Sequence, residues 1–92
     1  MNAVSDQVVD KATAEALSAD VRRDHALAAW VVMRDQPEPG AYTARLVTSG
    51  PTPYVLIGAT LEELRTQLPQ GLTHSERQPA DPPDLVEVWF AT

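Results

Sequence analysis

The densest run of reactive side chains lies between residues 76 and 87. It holds Glu76, Arg77, Asp81, Asp84 and Glu87 around a proline-stiffened stretch, PADPPD. Carboxylates and a guanidinium on a rigid loop are the residue types of a small-ligand site or an acid–base pair. The same residues also have a plainer use. Asp81 and Asp84 can close turns with their side chains, and Arg77 can pair with a nearby carboxylate. Glu87 stands apart, because it lies mid-strand between Val86 and Val88. If that face is covered, the carboxylate needs a cation, and Arg45 or Arg77 is the expected partner. If the face is open, Glu87 is simply solvated. Arg45, Arg77, Asp81 and Glu87 therefore form the candidate ligand or interaction cluster.

Other chemistry fails on spacing. His74, Ser75 and Glu76 are adjacent, but in an extended segment Ser75 points away from both neighbours, so they do not make a triad. His25 and His74 have no metal-ligating partner at helical or turn spacing, and zinc needs three or four convergent ligands. The chain has no cysteine, so thiolate chemistry and disulfides are excluded. Its four glycines are single and scattered, which excludes the phosphate-cradling fingerprints. No catalytic residue, metal or cofactor is expected.

These side chains must be positioned by a small scaffold. With 92 residues the chain makes one domain with one modest core. The formal net charge of −6 repels nucleic-acid phosphate and anionic lipid. The five aromatics on expected strands, Trp30, Tyr42, Tyr54, Trp89 and Phe90, therefore read as core or subunit-interface residues. The start of the chain is polar, and its longest apolar run, Ala26 to Met33, is far short of the about 20 residues that span a bilayer. A cytoplasmic protein without membrane contact is expected.

Residues 5–24 are alanine-rich and lack glycine and proline, which predicts a helix capped by Ser5 or Asp6, with Val9, Ala12, Ala16 and Ala19 on one face. Leu27–Met33 is apolar on both faces, as in a central strand. Ala41–Thr48 alternates, with Tyr42, Ala44 and Leu46 opposite Thr43, Arg45 and Val47. Tyr54–Ala59 makes a third strand. Thr60-Leu-Glu-Glu is a capping box opening a helix that Pro69 ends. Leu72–Gln78 can extend, and Leu85–Phe90 is a strand. The expected fold is α+β: an N-terminal helix, a three-stranded antiparallel meander, a short helix, and one or two C-terminal strands joining the same sheet. Residues 1–24 would form a helical segment, ordered wholly or in part, and 25–92 the α+β domain.

From Trp30 onward the chain resembles a group of small bacterial proteins of unknown function. The likeness is carried by PGAYTARLV, PYVLIGATLEELRTQLPQGL and ERQPADPPDLVEVW, and covers about two thirds of the chain. It implies a bacterial cytosolic origin and brings no activity or site residues. The chain is also similar to HicB-type antitoxins, which place a threonine-capped helix after strands. It departs from them in the loop before its third strand and in carrying no appended DNA-binding segment.

The leading expectation is a non-enzymatic protein-interaction or regulatory module that is self-associating, a homodimer for instance. Surplus apolar strand surface has to be covered by helices or by a second chain. One alternative is a small-ligand binder or enzyme using the polar loop 76–87. Another, which the acidic charge disfavours, is a nucleic-acid-associated regulator; it would need arginines gathered on one face.

Overall fold

The computed structural model describes residues 6–24 and 27–91. In chain order the elements are β1 (Gln7–Val8), α1 (Lys11–Arg23), β2 (Ala28–Arg34), β3 (Tyr42–Val47), β4 (Pro51–Gly58), α2 (Leu61–Gln67), β5 (Thr73–Glu76) and β6 (Leu85–Ala91). The strands form one six-stranded sheet in the order β1-β4-β3-β2-β6-β5. β1 runs parallel to β4, and every other neighbouring pair is antiparallel.

This overturns the expected architecture of N-terminal helix, three-stranded meander, short helix and one or two C-terminal strands. The described chain enters as a strand, and the sheet is mixed and six-stranded. The cause is the free edge of β4, which accepts the two residues of β1 before the chain turns into α1. The last two strands then add beyond β2, at the other side of the sheet, with β6 against β2 and β5 outermost.

The helix caps follow local chemistry. The Asp10 carboxylate accepts from the Thr13 N–H at 2.8 Å and caps α1. That backbone bond, together with one from the Thr13 hydroxyl, holds the Asp10 carboxyl below its usual value. The cap is thus Asp10 rather than Asp6, while Ser5 lies outside the described residues. The buried or half-buried stripe of α1 is Ala14, Leu17, Ser18 and Val21, whereas Ala12, Ala16 and Ala19 are exposed. Alanines on every side define no face; Leu17 and Val21, with more area to bury, set it. In α2 the Thr60 hydroxyl accepts from the Glu63 N–H at 3.0 Å. Beyond Pro69, Gly71 turns the chain at a φ of 82°.

Both helices pack on one face of the sheet. The core joins Ala14 of α1, Leu64 of α2 and Leu68 just after it to Ala28, Trp30, Val32, Ala44, Leu46, Leu56 and Ala91 of the strands. Trp30 is fully buried, and its indole N–H donates to the Ser18 hydroxyl at 3.2 Å. The small residues Ala14 and Ser18 leave room on α1 for that ring, and Ser18 supplies its acceptor. Lys11 Nζ donates to the Leu68 carbonyl at 2.7 Å, tying the start of α1 to the end of α2.

Candidate functional site

Among the described residues, Glu87 is the one buried ionisable side chain, at 2% exposure. Its strand register places it beside Val32 of β2 and Glu76 of β5, on the face that the helices cover. Arg65 reaches down from α2 and grips the carboxylate with two donors, Nε to Oε2 at 3.0 Å and Nη2 to Oε1. Trp89 Nε1 donates to Oε2 at 2.6 Å, and His74 Nε2 lies 3.2 Å from Oε1. The His74 and Trp89 rings stand 4.7 Å apart, tilted by 57°. Burial opposes ionisation of Glu87, but the hydrogen bonds from Arg65, Trp89 and His74 outweigh it and hold the carboxyl below its ordinary value. The same bond to Glu87 raises Arg65.

Each carboxylate oxygen thus faces two polar nitrogens, so the group has no lone pair to spare for a substrate proton. Its chemistry is that of a clip holding α2 to the sheet. Arg65, His74 and Trp89 line a shallow cleft of about 280 Å³ beside it. Neither Arg45 nor Arg77, the cations expected from the sequence, is the partner of Glu87. Arg65 was legible in principle: it shares the stripe 61-64-65-68 with three leucines, which turns it toward the sheet.

The four residues of the expected cluster do not converge. Arg45 lies on the opposite face of the sheet from Glu87, paired with Asp6 at 2.9 Å and bonded to the Thr52 carbonyl. Arg77 donates to the Asp81 carbonyl at 2.9 Å, and the Asp81 carboxylate accepts from the Gln78 N–H at 2.8 Å. Arg77 and Asp81 thus close the loop, which is the plainer of their two uses. His25 lies outside the described residues. Among those described, no three His, Asp or Glu side chains are grouped to hold a metal ion, and no helix is long and apolar enough to cross a membrane.

The larger feature is the second face of the sheet. Alternation sends Ala29, Val31 and Met33 of β2, Val47 of β3, Val55 and Ile57 of β4, and Val88 and Phe90 of β6 to the side away from the helices. None belongs to the core cluster, and among the described residues neither helix lies over them; Val55 is nonetheless buried, while the others stay partly or largely exposed. Val8, Leu27 and Phe90 are 64%, 84% and 43% exposed. Leu27, Ala29, Val47 and Phe90 line an apolar groove of about 230 Å³. The charge in the middle of this face is Arg45, neutralised by Asp6.

No protein-family model, curated protein or solved structure matches the chain.

Proposed function

We propose that this chain is a non-enzymatic interaction module that pairs with a second copy of itself through the open face of its sheet. The observation that supports this reading is the apolar band of Ala29, Val31, Val47, Ile57, Val88 and Phe90, which lies outside the core cluster.

Charge argues for a second copy as the occupant. Each chain carries −6 formally, so two copies repel wherever their surfaces are charged. The open face offers an approach without net charge, since Arg45 and Asp6 cancel. Its size fits as well. Six strands at about 4.8 Å spacing, with residues advancing about 3.3 Å each, span on the order of 500 Å² in plan. Side-chain relief brings the accessible area toward the roughly 800 Å² that one partner contributes to a standard interface. Two such faces would stack about 10 Å apart, as in a β-sandwich. The exposed Leu27 stands at the rim of the groove it helps to line, so a twofold axis there seats each copy's Leu27 in the other's groove.

Sedimentation velocity across low to high micromolar concentration tests the reading. A dimer is expected, with Leu27→Asp and Phe90→Glu each weakening it at least ~100-fold, because an unpaired carboxylate would be buried. Circular dichroism should show both variants folded, since Leu27 is mostly solvated in the single chain. A strict monomer, or a dimer indifferent to both substitutions, overturns the proposal.

A further inference from the structure

The chain has 13 acidic and 7 basic residues, so most cations find a carboxylate. Lys11 pairs with Glu15, Arg23 with Asp20, Arg45 with Asp6 and Arg65 with Glu87. Among the described side chains, Arg34 and Arg77 alone have no carboxylate partner. Both line the same cleft, of about 470 Å³, with Pro83, Leu85 and Val86 as its remaining walls. The cleft lies where β2 and β5 end and β6 begins.

The two guanidinium groups are held in place by the proline loop. Three successive backbone carbonyls do this: Asp81 and Pro82 accept from Arg77 at 2.9 and 3.4 Å, and Pro83 accepts from Arg34 at 3.2 Å. The Arg34 N–H also donates to the Asp84 carbonyl at 2.9 Å, which joins the end of β2 to the same loop. A guanidinium has five N–H donors, so most remain free on each side chain. Neutral carbonyls orient the two cations without cancelling their charge.

We infer that this cleft binds a small organic carboxylate, its head shared between Arg34 and Arg77 and its apolar body on Pro83, Leu85 and Val86. The planar fork of arginine matches a carboxylate with two parallel hydrogen bonds. The volume lies within the roughly 300–1,000 Å³ usual for small-molecule sites. Leu85 and Val86 supply what a bare anion would not use, which selects an acid with a hydrocarbon or aromatic body. The negative field of the chain opposes anions at long range, so affinity rests on these contacts and is modest.

Nuclear magnetic resonance titration of the full chain with benzoate tests this, with acetate and inorganic phosphate as comparison probes. Benzoate is expected to saturate with Kd at or below about 1 mM, shifting the signals of Arg34, Arg77, Leu85 and Val86. Acetate and phosphate should bind at least ~10-fold more weakly, lacking the apolar body. Arg34→Gln and Arg77→Gln should each weaken benzoate ~10-fold or more, and Arg23→Gln should leave it unchanged. Should a glutamine loosen the loop, Arg77→Lys keeps the charge but loses the fork, and is expected to weaken benzoate as well. Equal affinity for all three anions, no saturable shift, or indifference to the Arg34 and Arg77 variants overturns the site.

Discussion

Glu87 and Arg65 differ in what each loses when the other is removed. The glutamate side chain is 3% exposed and the arginine side chain 44%. Arg65→Met strands a buried carboxylate with only Trp89 and His74 beside it, and should cost about 3 kcal/mol in urea unfolding at neutral pH. Glu87→Gln leaves a half-solvated guanidinium that water can satisfy, and should cost nearer 1–2 kcal/mol. The pH dependence follows from the lowered Glu87 value. The folded state binds this proton less readily than the unfolded chain, so stability from the group is complete above the ordinary value of 4.5 and is lost as pH falls below it. The gap between the wild-type chain and Arg65→Met should therefore narrow on acidification through that range. A gap unchanged down to the acid transition would show that Arg65 acts through packing, not through the carboxylate.

The hold of α2 on the sheet depends on a glycine. A Cβ at Gly58 would stand 2.7 Å from the Leu64 nitrogen and 2.9 Å from its Cα and Cβ. Those atoms belong to the helix itself, so no rotamer change relieves the clash. Gly58→Ala must push α2 off β4, and a fall in Tm of about 5–15 °C is expected in a calorimetric scan. Gly50→Ala, which meets nothing within 4 Å, serves as the neutral control. A strand glycine is the usual mark of a close backbone approach, so this contact was open to sequence reasoning. The facing of Tyr42–Val47 was legible too, because alternation is a local property; so was the Thr60 cap, whose two partners are three residues apart. The arrangement of the strands was not. β1 is two residues long, and its place comes from the free edge of β4 rather than from any propensity of Gln7 and Val8. The partner of Glu87 comes from 22 residues away: the stripe 61-64-65-68 turns Arg65 toward the sheet, but only the placement of α2 against β3 and β4 brings its long side chain within reach of β6, ahead of Arg45 or Arg77. Arg34 and Arg77 become neighbours for the same nonlocal reason, since β6 inserts between β2 and β5.

For the molecule as a whole, charge and the open face pull in opposite directions. The sheet hides its helix-covered side well, with Trp30, Val32 and Leu56 fully buried under Leu64 of α2, while on the other side Val31, Val47 and Val88 stay partly exposed and Val55 is buried. Pairing through that side brings two bodies of −6 together, each about 35 × 33 × 25 Å. At about 0.1 M salt the screening length is about 10 Å, so charges on the far surfaces do not feel each other and only those near the rim repel. Dilute salt extends that repulsion across more of both molecules. The contact itself is apolar, so salt weakens the opposing force without weakening the attraction. Association should therefore strengthen several-fold between about 0.02 M and about 0.5 M sodium chloride, measured as the sedimentation midpoint. The opposite slope would mean that ion pairs, Arg45 and Asp6 first among them, carry the contact across the interface, and the apolar-face reading would fall with it.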